Sequence, residues 1–245
     1  MESRKSFAGI HDDYAFFLEH TDQQQRLSEA VAARLADVAE GARVLDYGCG
    51  RGGFLEAVLG RLGWGRAELT LVEPDPKFLA EAARRLSRFQ VTTAAEIPAA
   101  RQDVVLAAEV LYYVQDLRAS LESLAAPGGR VLVVLGGHGK VTTQLRQSAY
   151  RMLGLPFPFY LAEDVEQLLR AGDWQWTGQQ VPSTLAFPDR VENRLSLLRF
   201  LLGNLLNQLE ESAALALFDP FIREGRVVME HYDWLFDFSR TGLKT

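Results

Sequence analysis

Apolar runs and helical repeats alternate along the central part of the chain. Runs rich in aliphatic and β-branched residues predict strands at 44–47, 68–72, 89–93, 103–107 and 130–135. Between them, apolar residues recur at helical spacing, as in 54–62 and 117–124. Strands that alternate with helices indicate a parallel sheet with helices on both faces. The pattern therefore predicts an α/β fold.

The segments on either side of this central part have a different pattern. Residues 11–18 are rich in aromatic side chains, and Asp22 is placed to cap a helix that runs through Leu35. Later segments predict a proline-containing loop at 150–160, helices at 164–169 and 194–209, and a final strand or strand pair at 226–238. We expect one domain over 1–245, with a core at 40–136, an N-terminal helical lid at 1–39, a substrate-covering insertion at 137–225 and closing strands at 226–240.

The first predicted strand ends at Asp46 and leads into a glycine-rich turn at 48–53. Gly48, Gly50 and Gly53 satisfy the dinucleotide pattern G-x-G-x-x-G. Asp46 argues against a dinucleotide, because a carboxylate at the turn would repel a pyrophosphate. S-adenosylmethionine (SAM) carries an ammonium and a sulfonium and no phosphate, so the same carboxylate would attract it. We expect Gly48 and Gly50 to lack a Cβ so that the backbone can approach the amino-acid end of this cofactor.

The pattern D-x-G-x-G at 46–50 resembles motif I of the class I SAM-dependent methyltransferases. Glu73 ends the second strand beside this turn, and its carboxylate can accept hydrogen bonds from both ribose hydroxyls. The resemblance implies that Thr93 and Ala94, which close the third strand, lie against the adenine ring. Ala108 ends the fourth strand, where a small residue lets the backbone approach the cofactor. The candidate cofactor-binding residues are Asp46, Gly48, Gly50, Glu73, Pro74, Thr93, Ala94 and Ala108.

Composition and charge disfavour several classes of protein. The chain has 245 residues, of which 48% are hydrophobic and 24% charged, as in soluble globular proteins. A net charge of −6 disfavours a nucleic-acid partner. The single cysteine, Cys49, excludes an internal disulfide and indicates a reducing, cytoplasmic compartment. The longest apolar run, 131–135, is too short to span a bilayer, so we expect no membrane partner. We also expect either a monomer or a homodimer.

Longer segments resemble the histamine N-methyltransferase family. The matching segments, in place and order over nearly the whole chain, are 17–21 with the glutamines that follow, 72–74, 109–117 and 224–227. The resemblance implies a Rossmann-like class I methyltransferase core with an added substrate-covering subdomain from the N- and C-terminal parts. It also implies a small acceptor that contains nitrogen and is held in part by aromatic rings.

The same resemblance nominates the residues that contact the acceptor. Gln23, Glu109 and His231 fall where the family places polar substrate contacts, although the family has Glu, Gln and Asn there. This departure leaves the fold prediction intact and weighs against histamine itself as the acceptor. Aromatic pocket positions correspond to Tyr14, Tyr112 and Tyr113.

Glu109 and His231 are the candidate catalytic residues. Methyl transfer from a sulfonium is an in-line displacement, and an amine must lose its proton before it attacks. Glu109 lies at the carboxyl end of the fourth strand, where it can anchor an ammonium or accept its proton. His231 is the other candidate base, because imidazoles titrate near neutral pH. Each has a structural alternative: Glu109 as a helix cap, His231 as an ordinary strand residue, and one of Tyr112 and Tyr113 as core packing.

We expect SAM as the cofactor and S-adenosylhomocysteine (SAH) as its product. The histidines and Cys49 show no metal-ligand spacing, so no metal is predicted. An O-methyltransferase of a phenolic or carboxylic secondary metabolite is one alternative, although Glu109 would repel a carboxylate. A non-catalytic SAM-binding module is another, which the intact Asp46, Gly48, Gly50 and Glu73 disfavour. A protein or RNA substrate is a further alternative, and the acidic composition disfavours RNA.

Overall fold

The computed structural model describes residues 11–241, except for the side chain of His11. The predicted lid therefore begins outside the described residues, at 1–10. Strands β1 to β8 lie at Arg43–Tyr47, Glu68–Val72, Gln90–Ala94, Val104–Ala108, Arg130–Gly136, Trp174–Pro188, Ile222–Arg223 and Arg226–Arg240. Helices α1 to α9 lie at His11–His20, Gln23–Arg34, Gly53–Leu62, Pro76–Arg85, Leu117–Ala125, Val141–Met152, Ala162–Ala171, Val191–Leu202 and Glu211–Ala216. Short 3₁₀ segments lie at Leu111–Tyr113, Gly203–Gln208 and Asp219–Phe221.

Strands β1 to β5 form the parallel part of one sheet. The strand order is β3-β2-β1-β4-β5-β8-β6, and β7 pairs with β8. β8 runs antiparallel to β5, with Val131 opposite Phe238 and Gly136 opposite Asp233. The strand order reverses between β1 and β4, and ligands of open α/β sheets bind outside the carboxyl ends of the strands at such a point. The topology therefore directs attention to the residues that follow β1 and β4.

The central strands are buried because their sequences are apolar throughout. Residues 104–107 of β4 and 131–136 of β5 are all buried. Strands that helices cover on both faces have such continuous apolar runs. From α3, Leu55, Val58 and Leu59 pack into the same core. This packing fixes the strand ends from which the candidate site projects.

Two helices that follow these strands begin at side-chain caps. Asp75 precedes α4, and its Oδ1 accepts hydrogen bonds from the N–H groups of Lys77 at 2.8 Å and Phe78 at 3.4 Å. Pro76 stands at the first helical position, where its missing N–H costs nothing. Asp116 caps α5 through a 3.0 Å bond from the Ala119 N–H. These caps place the N-termini of α4 and α5 at the same edge of the sheet as the strand ends.

The five predicted parallel strands are confirmed, each to within one residue at either end. The aromatic-rich segment 11–18 lies in α1, within the segment 1–39 that was predicted to be helical. Strand β6 was not predicted at all, because Pro182 and the polar residues at 177–180 interrupt its apolar pattern. The predicted helix at 194–209 is α8 followed by the 3₁₀ segment Gly203–Gln208.

The described chain divides into two compact units. The sheet unit consists of 25–136, 160–181 and 233–241, and the flanking unit of 11–24, 137–159 and 182–232. The flanking unit has its own core, which includes Phe187, Leu197 and Phe218. The chain changes unit inside the predicted insertion 137–225, because 160–181 belongs to the sheet unit. None of the helices within 11–241 combines the length and the apolar character needed to cross a membrane.

Candidate active site

Asp46 ends β1 as a buried carboxylate, with 3% of its surface exposed. Among the described residues its side chain has no hydrogen bond or ion pair. Burial, and the negative charge of Glu73, raise the pKa of Asp46 to about 7. A cation bound near these two carboxylates would relieve their mutual repulsion. The electrostatics of this strand end therefore favour a positively charged ligand.

The glycine turn is held against β2 by its backbone. The N–H groups of Gly48 and Cys49 both donate to the carbonyl of Val72, at 2.8 and 3.1 Å. Gly48 has φ +72°, and a Cβ there would overlap the side chain of Val110. Val110 therefore already requires a glycine at 48, and the approach of the Gly48 backbone to a cofactor stays a prediction. Gly50 has φ +52°, and a Cβ there would meet no heavy atom of the described residues within 4 Å beyond its chain neighbours.

A third glycine, Gly52, lets the start of α3 pack closely against α4. Gly52 is the N-cap of α3 with φ +77°, and a Cβ there would lie 3.1 Å from Ala82. The sequence pattern instead drew attention to Gly53, the first residue of α3. Close helix packing, rather than contact with a ligand, accounts for the glycine at 52.

Glu73 ends β2 and fastens the turn to its neighbour. Its Oε2 accepts a hydrogen bond from the Gly50 N–H at 3.0 Å, and its Oε1 accepts one from the Asp75 N–H at 3.0 Å. A carboxylate has about four acceptor positions, so both oxygens retain acceptor capacity. Glu73 therefore lies at the turn, as predicted, and its orientation is fixed by two backbone donors.

A cleft of about 290 Å³ opens beside Glu73. Its lining contains Glu73, Pro74, Pro76, Leu79, Thr93, Ala94 and Ala95. Four predicted cofactor residues thus share one cavity, although Pro76, Leu79 and Ala95 were not predicted. Their signal was present in the sequence, because Pro76 and Leu79 belong to the first turn of a helix that begins just after Glu73. Ala108, half-buried at the end of β4, is not among the residues that line this cleft.

Glu109 follows β4 in a left-handed backbone conformation, with φ +57°. Its N–H donates to the carbonyl of Val134 at 2.8 Å. Tyr112 donates its hydroxyl proton to the Glu109 carboxylate at 3.3 Å and accepts a 2.6 Å bond from the Gly136 N–H. A non-glycine residue at positive φ is uncommon and is retained where the surroundings fix it. Asp116, rather than Glu109, caps the following helix α5.

The two tyrosines after Glu109 differ in burial. Tyr112 is 7% exposed, whereas Tyr113 is intermediate, and their ring centroids lie 5.9 Å apart. Tyr112 therefore has the core role that the sequence left open for one of the pair, in addition to its contact with Glu109. Tyr113 presents more of its ring at the surface of the sheet unit.

The remaining predicted acceptor contacts lie in the flanking unit. Tyr14 is on α1, 38% exposed, with its ring 5.4 Å from that of Phe200. Gln23 is the first residue of α2 and is buried, and its N–H donates to the Thr21 hydroxyl at 3.1 Å. His231 is buried on β8. Glu109, Tyr112 and Tyr113 belong to the sheet unit.

Cys49 is a buried free thiol inside the turn. Burial and the nearby charges of Asp46 and Glu73 raise the pKa of this thiol above its ordinary value. A raised pKa disfavours the nucleophilic thiolate. Over residues 11–241, no group of three or more His, Cys, Asp or Glu side chains is arranged to hold a metal ion.

Comparison with known proteins identifies the family of this chain. The family profile described as a methyltransferase domain matches residues 18–177, and the chain belongs to this family. A trans-aconitate 2-methyltransferase of Methylobacterium nodulans (strain LMG 21967 / CNCM I-2342 / ORS 2060) is 33% identical over 127 residues, which are 49% of this chain and 48% of that protein. The match thus spans about half the length of this curated relative.

Two solved structures share the fold. Magnesium protoporphyrin IX methyltransferase from Synechocystis PCC 6803 with bound SAH has a TM-score of 0.54 and 15% identity, over 98% of this chain and 90% of that one. Coclaurine N-methyltransferase bound to N-methylheliamine and SAH has a TM-score of 0.53 and 16% identity, over 89% and 70%. The predicted α/β Rossmann-like methyltransferase fold is confirmed. The prediction of a SAM-dependent methyltransferase is confirmed at the level of the family.

Proposed function

We propose that the protein transfers the methyl group of SAM to a nitrogen atom of a small-molecule acceptor. The observation that carries the nitrogen assignment is the Glu109 carboxylate, which Tyr112 contacts at the carboxyl end of β4. The next residue, Val110, packs against Gly48, so Glu109 lies close to the glycine turn. A carboxylate there attracts an ammonium or N–H group and repels an anion.

The cofactor roles follow from the charges and the cleft of the sheet unit. Asp46 would face the cationic amino-acid end of SAM, and Gly50 would leave room for it. Glu73 would accept the ribose hydroxyls, and Pro74, Thr93 and Ala94 would line the adenine end. Bound SAM supplies an electrophilic methyl group on a sulfonium. The chain's own contribution is to hold the acceptor in line with that methyl group and to keep water out.

Glu109 and His231 have different parts in this proposal. Glu109 would anchor the nitrogen through its carboxylate, whose position is set by the Tyr112 hydroxyl. A close carboxylate also raises the pKa of an amine, so a weakly basic acceptor such as an imidazole or aniline fits best. His231 remains the candidate base that takes up the proton. The narrower resemblance to histamine N-methyltransferase, and the cytoplasmic location, stay predictions.

A second candidate function is O-methylation of a carboxylate. It is favoured by the 33% identity to a trans-aconitate 2-methyltransferase, over about half of each chain. The Glu109 carboxylate opposes it by repulsion. The two functions separate in one experiment, because they predict opposite classes of acceptor.

Isothermal titration calorimetry with SAM and SAH tests the cofactor. An absence of heat with both ligands at millimolar concentration would remove the methyltransferase proposal. A panel of amines, imidazoles, phenols and carboxylates with methyl-labelled SAM then tests the acceptor. Labelled product from nitrogen acceptors supports the proposal, and labelled esters alone would replace it with O-methylation.

Glu109→Gln tests the anchoring role. We expect turnover of the nitrogen acceptor to fall about tenfold or more, the scale of a lost charged hydrogen bond, while SAH affinity stays within about twofold. Glu122→Gln, an exposed carboxylate on α5, is the matched control and should change neither quantity. Equal losses of turnover and SAH affinity would remove Glu109 from the acceptor site.

A further inference from the structure

One stretch of this acidic protein contains no acidic residue. No Asp or Glu occurs between Glu122 and Glu163, although the whole chain has a net charge of −6. Within this stretch the flanking unit contributes Lys140, Arg146 and Arg151, all on α6 or at its start. Positive side chains attract anions over several ångströms, so this part of the flanking unit favours a negatively charged ligand.

Arg146 stands out from the other arginines of the flanking unit. Its Nε is buried and has no hydrogen-bond partner, and among the described residues the guanidinium makes no ion pair. Arg194 and Arg199 instead pair with Asp189 at 2.6 Å and Asp13 at 3.0 Å. Burying a guanidinium donor without an acceptor is costly, and the missing acceptor that suits it best is a carboxylate.

The surroundings of Arg146 hold the guanidinium in place. Its Cζ lies 4.8 Å from the centroid of the Phe159 ring. Phe159 packs edge-on against Phe157 at 5.3 Å and Tyr150 at 5.9 Å. A guanidinium stacked on a ring keeps its fork of N–H donors in one plane, which lowers the entropy lost on binding a carboxylate. The aromatic cluster also offers an apolar surface to a planar group next to that carboxylate.

We propose that Arg146, stacked on Phe159, binds the carboxylate group of a small aromatic ligand. The inference goes beyond the proposed function, because Arg146 and Phe159 both belong to the flanking unit. A carboxylate is favoured over a phosphate monoester because one guanidinium balances the single charge of a carboxylate, whereas a phosphate monoester carries nearly two negative charges at pH 7. Arg146 is a binding residue in this proposal and takes no part in methyl transfer.

Benzoate and benzamide are the test probes, because they share shape and ring and differ in charge. Binding to the intact SAH-loaded protein is followed by saturation-transfer NMR and calorimetry. We expect benzoate to bind with a dissociation constant of about 1 mM, as for a fragment of this size, and benzamide to bind at least about tenfold more weakly. Phenyl phosphate is included to distinguish a carboxylate site from a general anion site, and equal or tighter binding of it would overturn the carboxylate assignment.

Arg146→Gln should weaken benzoate binding about tenfold or more. Arg151→Gln removes the same charge from an exposed position on the same helix and should leave it unchanged. Arg146→Lys keeps the charge without the planar fork and should give an intermediate loss, which also serves if Arg146→Gln does not fold. Equal binding of benzoate and benzamide, equal losses at 146 and 151, or no benzoate binding at about 10 mM would each overturn the proposal. SAH binding is measured on the same samples, so failure of the cofactor site is recognised separately.

Discussion

The Glu73 carboxylate and the Gly50 N–H are joined by a hydrogen bond of 3.0 Å, which links the end of β2 to the turn after β1. The second carboxylate oxygen is bonded to the Asp75 N–H. Because each carboxylate oxygen accepts a backbone hydrogen bond, the carboxylate has one orientation and its remaining lone pairs have fixed directions. Glu73 therefore both shapes the turn and offers acceptors toward the cleft that it lines.

Glu73→Gln is expected to weaken SAH binding by about tenfold to a hundredfold, because an amide lacks the charge and one of the two acceptor oxygens. Calorimetric titration with SAH measures the effect. Glu68→Gln, at the exposed start of the same strand, is the control and should bind SAH like the unmodified protein. Unchanged SAH affinity in Glu73→Gln would exclude the ribose role.

Asp46 makes the stability of the unliganded protein depend on pH. Its pKa is 3.8 in the unfolded reference and about 7 in the fold. Between these values the folded protein keeps a proton that the unfolded chain has released. The contribution of Asp46 to the free energy of unfolding is therefore full below pH 4, falls as pH rises toward 7, and is constant above that, with a slope of up to about 1.4 kcal/mol per pH unit.

Asp46→Asn removes this titration. Urea unfolding of both proteins between pH 4 and pH 8 gives the test, with SAM absent. We expect the variant to gain stability relative to the parent as the pH rises across this range. The total gain should be about 4 kcal/mol, because each unit of the pKa difference corresponds to about 1.4 kcal/mol. Parallel pH profiles would mean that Asp46 has an ordinary pKa in the fold.

The same titration predicts how SAM affinity responds to pH. A protonated Asp46 no longer attracts the cationic end of the cofactor, so affinity should fall as pH drops below about 7, by up to about tenfold per pH unit. Calorimetry at pH 5.5 and pH 8 measures this. Asp46→Asn should bind weakly at both pH values and lose the dependence, and a dependence that survives the substitution would assign it to another group.

Gly48 and Gly50 are expected to respond differently to alanine. Gly48→Ala would drive a Cβ into Val110, whose own Cβ would be 2.8 Å away, and should destabilise or unfold the protein. Gly50→Ala meets open space, so only its positive φ is strained, at about 1 kcal/mol. Thermal unfolding and SAH titration separate the two. Gly50→Ala should keep its fold and lose SAH affinity, and equal destabilisation of both variants would contradict this reading.

The parallel sheet could be predicted from sequence because its strands are short apolar runs between helical repeats. Val104 to Ala107 is such a run, and burial on both faces demands it. Strand β6 could not be predicted from its apolar pattern. Most residues at 175–180 are exposed and are polar or glycine, and Pro182 follows them. The interleaving of the two units also escaped prediction, because it depends on contacts between segments that are distant along the chain.

The candidate site shows the same division. Asp46, Glu73, Thr93 and Ala94 follow directly from strand ends in a parallel sheet, and the cleft unites three of them. The packing of Gly48 on Val110 could not be predicted, because it joins residues of neighbouring strands through a close van der Waals contact. Arg146 belongs to no sequence motif, and what distinguishes it is a buried Nε that has no hydrogen-bond acceptor.

Tyr112 connects the last residue of β5 to the proposed acceptor anchor, so Tyr112→Phe should affect stability and turnover together. Without the hydroxyl, the buried Gly136 N–H loses its 2.6 Å acceptor, at a cost of about 1–3 kcal/mol in the free energy of unfolding. Glu109 loses its 3.3 Å donor at the same time, and turnover should fall while SAH affinity is kept. Tyr47→Phe is the control, because that hydroxyl has no hydrogen bond among the described residues. A stable Tyr112→Phe variant with full turnover would show that this hydrogen bond is dispensable for positioning Glu109.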